Sequence, residues 1–225
     1  MNNLRRFENL IGSDNLKKII NSKVLVIGIG GVGGYTVESL ARSGVGHIHI
    51  VDYDLVDETN LNRQIIALHS TIGKYKVDVM KERINNINPN IEVTTSKVFV
   101  DEKNIDDLIK GVDFVVDACD TVVTKLSIIL TCKKLTVPFI SCMGTGNKMD
   151  PTKLKIVDIR KTSYDPLAKK IRKIIKDNKI NGKVMVICSD EPKYSDVTSP
   201  VPSNSFVPAT AGLLAASYVI NEIIK

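Results

Sequence analysis

The chain has 225 residues, 43% of them apolar and 25% charged, with a net charge of +6. This is the composition of a soluble globular protein with one sizeable core. Its longest apolar runs fall short of a bilayer's thickness, the polar start Met1 to Arg6 lacks an apolar leader, and its four cysteines include no C-x-x-C pair. A membrane-spanning segment, secretion and a structural zinc are therefore not expected, and reduced thiols in the cytoplasm are.

Arg5, Arg6 and Phe7 precede a short helix predicted over Ser13 to Ile20, with Ser13 or Asp14 as its cap. Val24 to Ile27 are apolar without alternation, the pattern of a strand covered on both faces. Gly28, Gly30 and Gly33 follow in G-x-G-x-x-G spacing. Glycine there permits a tight turn and lets a phosphate reach backbone amides at a helix N-terminus. That helix is predicted over Val32 to Ser43. A second strand, His47 to Val51, ends in Asp52, 24 residues after Gly28, where a ribose-binding carboxylate is expected.

A polar loop from Tyr53 to Gln64 leads to a helix predicted over Lys74 to Ile87, which Asn88-Pro89 stops. A strand over Ile91 to Val98 and a short helix over Asn104 to Ile109 come next. Val112 to Asp120 reads as a buried strand with an acidic end, followed by a helix over Val122 to Leu135 and a strand over Pro138 to Cys142. Strands alternating with helices define an α/β, Rossmann-like, doubly wound and mainly parallel sheet. Right-handed crossovers gather Gly28 to Gly33, Asp52 and Asp120 at one rim.

The last third adds a strand over Leu154 to Ile159, an amphipathic helix over Asp165 to Asp177, a strand over Val184 to Cys188, and an apolar helix over Ala209 to Ile224. Residues 189–206 hold three prolines and five serines and read as a lid or a disordered segment. We read 1–225 as a single domain, with a nucleotide-binding core over 1–142 and a substrate-binding extension over 143–225. Lys153 to Lys183 holds eleven Lys/Arg against three Asp/Glu, a local charge of +8, while the remainder sums to −2. Such a segment suits a polyanionic partner. Within the amphipathic helix, Lys169, Lys170, Arg172 and Lys173 lie off the apolar stripe.

Binding of NAD requires the glycine turn and the acid. Group transfer from ATP also requires cations on the phosphates and a carboxylate for magnesium. Arg63, Lys76 and Asp120 can supply these, with Asp117 and Asp120 as a carboxylate pair at the strand end. Cys132 and Cys142 read as core residues, Cys119 as packed, and Cys188 as bordering the lid, where it could meet a sulfur-relay partner.

Gly28-Ile-Gly-Gly-Val-Gly33, Asp52-Tyr-Asp-Leu-Val-Asp57, Asn60-Leu-Asn-Arg-Gln64, Gly73-Lys-Tyr-Lys76 and Asp117-Ala-Cys-Asp120 resemble the ThiF/MoeB-type, ubiquitin-activating-enzyme-like adenylating family. The resemblance implies adenylation of a carboxylate with release of pyrophosphate. It places Gly28, Gly30, Gly33, Asp52 and Asp54 at the ATP site, with Asp52 on the ribose. It places Asn60, Arg63, Gln64 and Lys76 on the phosphates, and Asp120 on Mg2+. Gly146-Asn-Lys-Met-Asp-Pro-Thr152, Asp165-Pro-Leu-Ala168, Cys188-Ser-Asp-Glu-Pro192 and Ser205-Phe-Val-Pro-Ala-Thr-Ala-Gly212 resemble the branch that dehydrates threonylcarbamoyladenosine beside the anticodon of tRNA. The implied partner is that tRNA, held by the basic helix. A homodimer is implied as well, with Arg6 a candidate to reach the neighbouring site. The alternatives are an adenylyltransferase for a ubiquitin-like sulfur carrier, and an NAD-dependent oxidoreductase or nucleotide sensor.

Overall fold

The computed structural model describes residues 2–225; Met1, the first residue of the polar start, lies outside them. In chain order the elements are α1 (Arg5–Ile11), α2 (Ser13–Ile20), β1 (Lys23–Ile27), α3 (Gly33–Arg42), β2 (His47–Val51), α4 (Lys76–Ile87), β3 (Glu92–Ser96) and α5 (Ile105–Ile109). They continue as β4 (Phe114–Asp117), α6 (Val122–Leu135), β5 (Phe139–Cys142), β6 (Leu154–Asp158), α7 (Pro166–Asp177), β7 (Met185–Ser189) and α8 (Phe206–Ile223).

One seven-stranded sheet runs β3-β2-β1-β4-β5-β7-β6. Every neighbouring pair is parallel except β6 with β7. The two C-terminal strands therefore extend the nucleotide-binding sheet. Strand order reverses between β1 and β4, which opens a crevice at their C-terminal ends, where such sheets bind ligands. The apolar runs of β1 and β4 meet the requirement of that central position: Val24 to Ile27 and Phe114 to Asp117 are all buried.

α1 was not anticipated, because its start lacks a capping side chain; its end lies at Gly12, which has φ 85°. α8 begins at Phe206, three residues before the predicted start, since Pro208 falls in the first turn, where a missing N–H costs no helical bond. By length and composition α8 could cross a membrane. Here it is a core helix: Val207, Ala211, Ala215, Ala216 and Val219 are fully buried in the cluster that also holds Val37 and Leu40 of α3.

Candidate active site

A cavity of about 480 Å³ opens at the reversal point, lined by the glycine turn, Asp52, Asp54, Asn60, Arg63, Gln64, Lys76 and Asp120. Gly28 has φ 90°, and a side chain there would meet the Ala118 carbonyl at 2.8 Å. Gly33 is the glycine that corrects the expectation. It is buried and does not line the cavity. A Cβ on it would sit 1.7 Å from the Gly28 carbonyl oxygen, so it lets α3 start against the turn and does not meet a phosphate directly. Among the described residues, the N–H groups of Gly30 and Gly31 have no acceptor in the protein, which leaves them for an anion.

Asp52 is nearly buried. Its Oδ2 accepts from the Ile29 N–H at 2.6 Å and its Oδ1 from the Asp54 N–H at 2.8 Å. Each carboxylate oxygen keeps a lone pair for a ribose hydroxyl. Lys76 is buried and paired with Asp54 at 2.7 Å. Arg63 has no carboxylate partner among the described residues; its guanidinium donates to the Thr59 carbonyl at 2.8 Å and the Asn62 side chain at 2.9 Å. It is the cavity's uncompensated cation. Asn60 closes a capping box with Asp57. Gln64 Oε1 is buried without a partner.

The expected Asp117–Asp120 pair does not form. Asp117 is fully buried and bound to Lys125 Nζ at 3.0 and 3.1 Å, and it also accepts from Ser141 Oγ. Burial would push the Lys125 ammonium down, but the adjacent Asp117 carboxylate overrides it and raises the pKa. Asp120 is exposed at the cavity and, among the described residues, its side chain accepts a hydrogen bond from the Thr121 hydroxyl alone, at 3.3 Å. No cluster of three metal-ligating side chains occurs among the described residues. A single free carboxylate suits a hard cation that would draw its other ligands from phosphates and water.

Beside the cavity, α7 starts at an Asp165 cap, whose Oδ1 accepts from the Ala168 N–H at 2.8 Å. Ile171 and Ile175 dock it on the core, and Lys169, Lys170 and Lys173 are exposed. Arg172 departs from expectation, because its guanidinium donates to the Thr162 carbonyl at 2.7 Å and hydroxyl at 2.6 Å. Leu167 of this helix lines the cavity. Residues 189–206 are clasped. Asn147 accepts from the Tyr194 and Ser195 N–H groups at 3.1 and 2.7 Å, and Glu191 accepts from the Met149 and Asp150 N–H groups. Asn62 donates to the Ser203 carbonyl at 3.1 Å, which ties the clasp to the Arg63 loop.

Cys188 is buried, against expectation, and does not border an open lid. Burial pushes the thiols of Cys132, Cys142 and Cys188 up to about 12 each, and that of Cys119 up as well. None is a ready nucleophile. Sequence reasoning missed Lys125 and the Gly144–Gly146 stretch of the cavity wall. A lysine in the largely apolar first half of α6, eight residues after a buried acid, was the available signal for the first.

A glycine turn, a buried aspartate and an arginine without a carboxylate partner line a cavity at the switch point of a parallel sheet, the arrangement of a nucleotide-binding domain. The chain belongs to the ThiF family, which it matches over residues 2–225. It is 43% identical to the tRNA threonylcarbamoyladenosine dehydratase of Bacillus subtilis (strain 168), covering 98% of this chain and 94% of that one. It is 34% identical to the protein of the same name from Escherichia coli (strain K12), covering 96% and 91%. The E. coli protein's structure in complex with ATP superposes with a TM-score of 0.93 at 35% identity, covering 99% of this chain and 94% of that one.

Proposed function

We infer that this protein is an ATP-dependent enzyme that dehydrates threonylcarbamoyladenosine in tRNA through adenylation of the threonyl carboxylate. One observation carries the reading: the exposed-lysine helix α7 sends its own Leu167 into the wall of the nucleotide cavity. A polyanion held on that helix would present a modified base to the bound nucleotide. Phosphate contacts dominate RNA affinity, and lysines 169, 170 and 173 are free to make them.

The residues divide the work. The Gly30 and Gly31 amides and Asp52 hold the nucleotide. Arg63 meets the charge that develops as pyrophosphate leaves, with Lys76 beside it. Asp120 would hold magnesium, which shields phosphate charge when bound. No protein thiol takes part in this scheme, and a sulfur-relay partner would act without a thiolate of this chain. Cytoplasmic residence follows from the substrate. We extend the reading to a homodimer, because Arg6 is exposed on α1 and outside its own cavity wall. A carrier-protein adenylyltransferase, the alternative, would have no need of the +8 segment.

The test is the nucleotide product. With ATP, magnesium and threonylcarbamoyl-modified tRNA, the protein yields AMP and pyrophosphate, and Asp120→Ala abolishes this. Formation of ADP and phosphate contradicts the reading.

A further inference from the structure

The cavity wall divides by chemistry. The glycine turn, Asp52, Arg63, Lys76 and Asp120 account for a nucleotide. Beyond β5 the wall is made by Met143 to Gly146, with Leu167, Val201, Ser203 and Pro208. This part contributes no Lys, Arg or His. An acyl group entering it would meet only dipoles.

Those dipoles are concentrated in one place. Gly144, Thr145 and Gly146 are half-buried, yet among the described residues none of their backbone N–H groups has an acceptor in the protein. Unpaired donors in a cavity wall are left to a ligand or to water. The loop is also fixed at both ends. The Met143 N–H donates to the Ile187 carbonyl at 2.8 Å, and the Asn147 N–H to the Pro202 carbonyl at 2.7 Å. Lys125 Nζ holds the Cys142 carbonyl at 2.7 Å. Behind the loop, the buried Oδ2 of Asp165 has no partner, and a Cβ on Gly144 would meet it at 3.0 Å.

We propose that the Gly144-Thr145-Gly146 backbone amides are the oxyanion site for the substrate's acyl group. The proposal rests on the dehydratase reading. In the first step a threonyl carboxylate oxygen bonds to the α-phosphorus, and the bond to the β-phosphate breaks with its electron pair leaving on pyrophosphate. In the second, an atom of the ureido group bonds to the acyl carbon, the carbonyl pair moves onto oxygen, and the ureido N–H proton passes to water. The amides hold that oxyanion until it collapses and expels AMP with the pair of the broken C–O bond. Fixed donors around a developing oxyanion need no reorganisation during reaction.

The experiment replaces Thr145 and Gly146, one at a time, by the matching α-hydroxy acids, so that each N–H becomes an ester oxygen. Single-turnover ring closure on threonylcarbamoyl-modified tRNA and ATP affinity are measured on the full chain. Each ester should slow ring closure by roughly 10²- to 10³-fold with ATP affinity unchanged. Ring closure at the wild-type rate overturns the oxyanion site, as does a loss matched by an equal loss of ATP affinity. A wild-type protein that forms no cyclic product overturns the dehydratase reading itself, and the oxyanion site with it.

Discussion

Arg63 decides between two kinds of nucleotide site. On the proposed function this cation, which has no carboxylate partner among the described residues, serves the phosphates beyond the ribose. Arg63→Ala should lower the rate of pyrophosphate release at least about 100-fold while tRNA binding persists, measured by rapid quench and filter binding. Arg63 was legible in the sequence as a candidate because it sits in the Asn60–Gln64 block, and the structure places it on the cavity wall. The role of Asp117 was not, because its partner Lys125 approaches from a helix whose pattern reads as plain core. His49 adds a pH dependence. Burial first, then Lys23 and His47, depress its pKa from 6.5 to about 4, and its ring bonds to Ser96 Oγ at 2.9 Å. The folded state therefore holds it neutral where the unfolded chain protonates it. Its contribution to stability is complete above pH 6.5 and is lost as pH falls from there toward 4. The melting temperature should drop across that window, and His49→Gln should flatten the drop.

Elements are held in register by the buried network of Lys125, Asp117 and Ser141. It joins α6 to the ends of β4 and β5, whose following loops carry Asp120 and Gly144 to Gly146. Removing one member of a buried ion pair leaves the other unpaired, so Lys125→Met should destabilise the fold by about 3–5 kcal/mol, readable in urea unfolding. The double variant Lys125→Met, Asp117→Asn should recover part of that loss. Most elements were legible, since apolar runs without alternation mark β1 and β4 and amphipathic spacing marks α7. Two features escaped for physical reasons. α1 has no capping side chain to announce it. The order of residues 189–206 depends on Asn147 and Glu191, contacts between segments far apart in sequence that no local pattern records.

Across the whole molecule, the nucleotide cavity and the basic helix meet at Leu167, so on the proposed function holding tRNA and adenylating it should be separable. Replacing Lys169, Lys170 and Lys173 with Ala should weaken tRNA binding and reduce the slope of log affinity against log salt by roughly 0.7–0.9 per lost phosphate contact. The fold should persist, because exposed charges add little stability. Unchanged affinity at every salt concentration would leave α7 a solvated face. The central claim is that this fold closes a ring on a tRNA modification at the expense of ATP. The most direct test is the mass of the nucleoside released from threonylcarbamoyl-modified tRNA after incubation with the protein, ATP and magnesium. The account predicts a threonylcarbamoyladenosine lighter by one water, formed with one AMP per product. An unchanged nucleoside mass with ATP intact would contradict it.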